Sequence, residues 1–412
     1  MFESMANAFR KHYDVVVVGA GVAGVAAAVA AARRGRRTAL LEKQTLIGGL
    51  ATSGLIYLYL PLCDGFGTQV ISGISEEMLR KSTEFGPFEL PARRGGRNSR
   101  GRRRESRFET AFSPAGFTLT LDEMLSDAGV DLWLDSRVCD VVSADGRVTG
   151  LEVENTSGRG RVAADCFVDA SGEAIVVRRA GGRVFHEVNR HTMWLMEAAS
   201  DASLHPISGM LHIAGHRFDE ADFAPGEACD GKRVTDFTRL AWKHVRESYR
   251  EKYRSGKCSP AENFPVHLPA MAQFRKIAAV AAKTMLDSFG NQKRHEDSVG
   301  LTGDWRIAGP VWETPFGALV PECVDGIFAA GRVIGAVNDA WEVFRVIPAA
   351  AMTGEAAGLA AAIASEKGCA ASEVQADDVQ TALRERGVKL HLDEAGLPYG
   401  VLPQSDAALR TE

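Results

Sequence analysis

The sequence predicts an α/β protein built on a parallel βαβ unit, and three features carry that reading. A β-branched run, Tyr13–Val18, leads into Gly19-Ala20-Gly21-Val22-Ala23-Gly24 and an Ala/Val stretch to Arg34. Short β-rich segments follow between about residues 130 and 169. Near the end, a small strand at Gly326–Ala330 precedes an Ala/Gly-rich helix opened by Pro348.

The first strand is apolar without alternation, as a strand covered on both faces is. The Ala/Val stretch suits a helix, with Arg33 and Arg34 at its negative pole and Gly35 just past its end. Thr38–Glu42 reads as a second buried strand, so the two strands are expected to run parallel through a right-handed crossover. Leu132–Leu134, Arg137–Val142, Val148–Glu154 and Arg161–Val168, punctuated by Asp145-Gly146 and Ser157-Gly158, read as an antiparallel meander. A polar, helical stretch is expected over about 221–290, and a helix from Pro348 to about Ala364, with the proline in the first turn. The tail beyond Ser365 reads as a charged helix and a loop.

At 412 residues the chain has room for two to three domains of about 150 residues each. Hydrophobic residues at 45% and charged residues at 25% are the balance of an ordinary globular protein, which excludes a long disordered chain and a multi-span membrane protein. The net charge of −5 gives no overall affinity for polyanions. Val15 to Ala32 is uncharged and long enough for a crude membrane span, but glycines and alanines dilute it, Asp14 sits at its start, and Met1–Asn7 carries Glu3 and no basic residue. Cys63, Cys139, Cys166, Cys229, Cys258, Cys323 and Cys369 are dispersed and form no C-x-x-C, so neither a metal site nor a disulfide framework is expected. A reducing, cytoplasmic setting fits. Eight arginines crowd Arg93–Arg107, read as a solvated loop with contact to an anionic ligand or partner as the alternative; nucleic acid is disfavoured because no aromatic residues are interleaved.

The chemistry starts at the glycine turn. Gly19 permits a tight turn, Gly21 leaves room for a pyrophosphate against the backbone, and Gly24 lets helix and strand approach. Free N–H groups at Val22 and Ala23 and the positive helix end suit phosphates. Glu42, about twenty residues on, suits ribose hydroxyls and disfavours a 2′-phosphate. Lys43 follows it, and Gly48-Gly49-Leu50-Ala51-Thr52-Ser53-Gly54 gives a second close-approach loop, as an elongated dinucleotide requires. Small residues at Asp169-Ala170-Ser171-Gly172 and Ala330-Gly331-Arg332 return toward the same place. Together these favour FAD over NAD. No second G-x-G-x-x-G follows, which argues against a dedicated NAD(P)H domain.

These motifs resemble the glutathione-reductase-type FAD oxidoreductases. More narrowly, the chain is similar to a bacterial group of FAD-dependent oxidoreductases distantly related to fumarate-reductase flavoproteins and the tRNA-modifying GidA type. The narrower signatures are the Gly48–Gly54 loop, Asp297-Ser298-Val299-Gly300, Gly303-Asp304-Trp305, and Trp341–Pro348 leading into Thr353–Gly358. The resemblance implies a Rossmann-like FAD domain assembled from 10–185 and 310–366, an inserted α+β substrate domain over 186–309, and a C-terminal helix and tail over 367–412. It implies cofactor contacts at Val138 (adenine), at Ala170, Ser171 and Gly172 (adenosine), and at Gly331 and Arg332, where many relatives carry Asp. After Gln273-Phe274-Arg275-Lys276-Ile277 the chain departs from the group by continuing with Ala278–Ala282.

In a flavin, reduction places negative charge at N1 and the C2 carbonyl, so a helix start there is stabilising. Val346, Ile347 and Pro348 supply one, with Arg345 beside it as a flavin-side cation or an ordinary salt bridge. Weaker candidates for the chemistry are Cys63, Asp339, Trp341 and His191, the last among His186, His205, His212 and His216. The expected activity is hydride transfer from a small organic substrate to flavin, with oxygen or a carrier as acceptor. The alternatives are a monooxygenase reduced by NAD(P)H, or an RNA-modifying or nonredox FAD protein.

Overall fold

A computed structural model describes residues 8–90, 107–199, 211–217 and 222–400, the side chains of 199 and 211–217 excepted. Its largest sheet has seven strands. Arg10–Val18 lies near the centre, paired in parallel with Thr38–Leu41 on one side and Gly158–Asp169 on the other. Asp131–Trp133 extends the sheet beyond Thr38–Leu41, also in parallel. On the far side, Gly158–Asp169 pairs antiparallel with Arg147–Asn155, which pairs with Arg137–Ala144. Ile327–Ala329 takes over as the parallel neighbour of Gly158–Asp169 at Phe167–Asp169.

Two expectations are corrected here. The Leu132–Leu134 segment leaves the meander and joins the parallel sheet next to Thr38–Leu41. Among the described residues of the 221–290 stretch, a 3-10 turn at Glu227–Cys229 precedes a single α-helix, Gly231–Arg254, capped by the Asp230 side chain on the Arg233 N–H. Beyond it the chain forms the strand Asn263–His267 and an irregular crossing segment. That strand pairs with Thr192–Ala199, which pairs in turn with Leu211–Arg217. Met193 and Leu195 on the middle strand pack on Ala241, Val245 and Tyr249 of the Gly231–Arg254 helix, forming a small core of their own.

Register brings the parallel strands to a common end: Val18 stands opposite Leu41 and Asp169, Leu41 opposite Trp133, and Asp169 opposite Ala329. The crevice outside the carboxyl ends of such strands is where α/β sheets bind ligands. The apolar Val15–Ala32 run resolves into strand, glycine turn and the helix Val22–Arg33. That helix is buried from Val22 to Ala31 because Ile347–Lys367 lies on it. The small side chains allow unusual closeness: a β-carbon at Gly354 would stand 2.2 Å from the Ala23 carbonyl oxygen, and one at Gly358 2.1 Å from that of Ala27. Among the described residues Ile347–Lys367 is the one helix long and apolar enough to cross a membrane, and it is buried along most of its length.

Most of the arginine-rich Arg93–Arg107 segment lies outside the described residues. Arg107 is an exception to the expected solvated loop: it is buried, and its Nη1 donates to the carbonyls of Asp304 and Trp305. Backbone acceptors let a guanidinium sit inside the fold there.

Candidate functional site

A cleft of about 570 Å³ opens at the strand ends. From the nucleotide side it is lined by Gly19, Gly21, Val22 and Ala23. Gly19 has φ +93° and is pressed against the Ala170 carbonyl and Ser171. Gly24 does not line the cleft; a β-carbon there would lie 1.8 Å from the Gly19 carbonyl oxygen, so its role is to bring helix onto turn. Gly21 is different. Its φ is −68° and nothing stands within 4 Å of a β-carbon built on it, so that face of the turn is open. No side chain caps the helix at Gly21, leaving the first-turn N–H groups available.

Glu42 lines the cleft and is buried. Its Oε2 accepts the Ala20 N–H at 2.7 Å and its Oε1 the Gln44 N–H at 2.9 Å, which fixes the carboxylate against the turn. The glycine pair lies alongside, with Gly48 N donating to the Ala20 carbonyl and Gly49 against Gly21. Gly48, Gly49 and Ala51 line the cleft, whereas Thr52 is buried behind it with Oγ1 on the Ile47 carbonyl. Lys43 and Glu173 pair at 3.0 Å, and both line the cleft.

Ala170, Ser171 and Gly172 follow the Gly158–Asp169 strand into the cleft. Asp169 holds this turn. Its Oδ1 accepts from Ser171, and its Oδ2 caps the next helix at the Val176 and Val177 N–H groups. Burial pushes the Asp169 carboxyl up, against the pull of these donors. Val138 is buried on its strand and does not line the cleft.

Gly331 and Arg332 enter from the turn after Ile327–Ala329. Thr353 Oγ1 accepts the Gly331 N–H at 3.0 Å, and Trp341 Nε1 donates to the Arg332 carbonyl at 2.7 Å. Trp341 is fully buried and acts on the cleft only through that turn. Arg345, Ile347 and Ala350 complete this end, with Val346 as the uncapped N-terminal residue of the long helix just outside the lining. Arg345 pairs with Glu342, which Lys276 also reaches at 3.0 Å. Burial raises the Glu342 carboxyl, but Arg345 and Lys276 outweigh it and hold the group below its usual range.

The three other candidates for the chemistry lie elsewhere. Asp339 is exposed and paired with Arg306 at 2.9 Å. Cys63 is buried in the loop that Arg107 borders. His191 is buried among Phe223 and Phe237, with Nε2 3.2 Å from the Phe237 carbonyl. His205 falls outside the described residues, as do the side chains of His212 and His216.

Sequence reasoning missed the remaining lining, which includes Val234, Trp242, Met271, Phe274 and Ile277. A tryptophan on the outer part of a polar helix was the available signal for Trp242, which stays 39% exposed. The 269–277 segment is tied across the mouth by Ala270 N to the Ser53 carbonyl and by Gln44 Nε2 to the Ala270 carbonyl. Gln273 is buried and bridges Gly54 to both backbone groups of Trp194.

Parallel strands ending on a glycine turn, an uncapped helix start and an acidic residue at the next strand end define a dinucleotide-binding α/β protein. The family model described as FAD dependent oxidoreductase matches residues 14–287 and 280–383, and the chain belongs to that family. It is an enzyme, and its cofactor is FAD. Among curated proteins it is similar to digeranylgeranylglycerophospholipid reductase of Thermoplasma volcanium, 28% identical over 39% of either chain. It is also similar to protein FixC of Escherichia coli K12, 29% identical over 34% of this chain and 33% of that one. The match thus spans about two-fifths or less of these relatives. Among solved structures, p-nitrophenol 4-monooxygenase of Pseudomonas putida aligns over 91% of this chain and 84% of that one, at 12% identity and a TM-score of 0.49.

The cleft fits the cofactor. The open face at Gly21 is a cradle that a side chain would fill, and the same cleft continues to a second uncapped helix start at Ile347.

Proposed function

We propose that this FAD-dependent oxidoreductase is a dehydrogenase or oxidase that takes hydride from a small organic substrate. The observation that carries the reading is one cleft holding two uncapped helix starts, at Val22 and at Ile347, with Arg345 beside the second. FAD supplies a two-electron acceptor whose N5 takes hydride and whose N1 and C2 carbonyl gather negative charge. In this reading Gly21, Val22 and Ala23 would bind the diphosphate through backbone N–H groups, while Gly19, whose own N–H is held by the Leu41 carbonyl, shapes the turn. Glu42 accepts ribose hydroxyls with the lone pairs that Ala20 and Gln44 leave free. Ala170–Gly172 border the adenosine half, and Gly331 and Arg332 border the linking chain. Ile347 and Arg345 orient positive potential toward the ring's anionic edge. Trp341 and Thr353 are positioning residues for the Gly331–Arg332 turn.

The inserted substrate domain over 186–309 belongs to the same proposal. It is supported by the separate small core of the Gly231–Arg254 helix and by the entry of Trp242, Met271 and Phe274 into the cleft. These apolar side chains are suited to exclude water from a bound substrate.

The test is anaerobic reduction of the FAD-loaded protein against a metabolite panel that includes NADH and NADPH. Bleaching of the flavin absorbance by an organic donor supports the reading. Rapid bleaching by a nicotinamide alone overturns it in favour of a monooxygenase or reductase.

A further inference from the structure

Three guanidinium groups gather where the 269–277 segment meets the turn after Ile327–Ala329. Arg332 and Arg345 line the cleft, and Arg275 directly follows Phe274, which also lines it. Arg332 donates Nε to the Gly172 carbonyl at 2.6 Å and Nη1 to that of Phe274 at 2.8 Å, so its position is fixed by backbone alone. Its Nη2 has no hydrogen-bond partner among the described residues, and no carboxylate pairs with it.

Arg275 is held by its backbone, with Asn189 Oδ1 accepting the N–H groups of both Arg275 and Lys276. Its side chain has no carboxylate partner among the described residues, and its Nη1 is buried without an acceptor. The carboxylates close by are occupied: Glu342 serves Arg345 and Lys276, Glu187 serves Lys276 at 2.6 Å, and Glu173, which acts on Arg332, serves Lys43 at 3.0 Å. Burial first, then repulsion from Arg345 and Arg332, lowers Arg275 to about 9 against the pull of Glu342; burial, with Arg345 adding to it, lowers Arg332 to about 10 against the stronger pull of Glu173. Both stay charged at neutral pH. Positive charge held inside the fold in excess of the carboxylates around it is costly, so an anion from outside the chain is favoured there. The diphosphate of the cofactor is already served by the glycine turn and its helix start. The same cleft is lined by Val234, Trp242, Met271, Phe274 and Ile277, and Phe274 touches Arg332 through its carbonyl.

We propose that Arg275, together with Arg332 and Arg345 on the edge they share with the cofactor, forms an anion subsite of the substrate pocket, and that the substrate carries a carboxylate or phosphate head group on an apolar body. The inference rests on the oxidoreductase reading of the cleft and adds the substrate's class to it. Guanidinium forks suit either head group, since both offer paired anionic oxygens.

The experiment titrates the FAD-loaded protein with octanoate, octyl phosphate and octan-1-ol, followed by the flavin difference spectrum. At least one anion is expected to bind 10-fold or more tightly than the alcohol and to weaken as salt rises. The tighter of the two identifies the head group. Arg275→Met is expected to weaken anion binding 10-fold or more with FAD content unchanged, and Arg275→Lys to recover part of the loss. Octan-1-ol binding as tightly as both anions overturns the subsite, and the unmodified protein decides that even if Arg275→Met does not fold. Unaltered anion affinity in a folded Arg275→Met protein also overturns it. So does release of FAD from that protein, which would assign the arginine to the cofactor's diphosphate. Anion binding without bleaching by any organic donor upholds the subsite and sinks the hydride reading. Bleaching by neutral donors in a protein that binds neither anion does the reverse.

Discussion

The two sets of elements that enclose the cleft are built by different means. Around Gly19–Gly24, Glu42 and Gly48-Gly49 the contacts are backbone on backbone, and most added β-carbons would strike main-chain atoms or a fixed side chain. Around residues 269–277 the surface is made of side chains, with Trp242, Met271, Phe274 and the arginines carrying it. Backbone construction fixes a shape whatever the neighbouring side chains are; side-chain construction leaves the shape free to change with each substitution. The first suits a cofactor common to a family, and the second a substrate particular to one member.

The contrast can be tested by substitution. Gly21→Val is expected to abolish flavin retention while the protein stays folded, because the β-carbon meets no protein atom and φ is ordinary. Absorbance at the flavin band per mole of protein, alongside a thermal melt, checks this; a yellow variant would show that another loop holds the diphosphate. Gly354→Ala is expected to cost about 1–3 kcal/mol of stability through overpacking against Ala23, read by denaturant unfolding. An unchanged midpoint would mean that the two helices separate at little cost. Glu42→Ala is expected to weaken FAD by about 1–3 kcal/mol as buried donors lose their acceptor. Equal FAD affinity in titration would remove the ribose role. Trp341→Phe deletes one hydrogen bond to the Arg332 carbonyl and is expected to cost about 0.5–1.5 kcal/mol, with reduced flavin affinity as the accompanying readout. Smallest of all on the flavin is Trp242→Ala, expected to leave its content unchanged while altering substrate binding; loss of flavin there would erase the distinction between the two sets.

Legibility in the sequence followed the same division. The βαβ unit, the crossing at Gly48-Gly49, the late strand and the long Ala/Gly helix were readable because glycine and β-branched residues report directly on backbone conformation. Cleft-lining Gly19, Gly21, Val22, Ala23, Gly172 and Gly331 stood out with those backbone signals, Glu42 by its spacing at the next strand end and Arg345 by its place beside a helix start. Gly24, Thr52 and Trp341 carry strong motifs yet sit one layer back, because a motif marks what the turn needs as well as what a ligand touches. Leu132–Trp133 was misplaced because strand propensity does not reveal the pairing partner. The 269–277 segment was opaque for a further reason: its course is set by tertiary ties such as Gln273 to Gly54 and Trp194, which leave no periodicity.

Gly354 and Gly358 lock the helix that starts at Val22 to the one that starts at Ile347. The distance between those two helix starts is therefore a fixed gauge rather than an adjustable jaw. On the proposed reading, the protein selects its cofactor by length: FMN and riboflavin, lacking the adenylate half, are expected to span only one end of the caliper and to bind poorly.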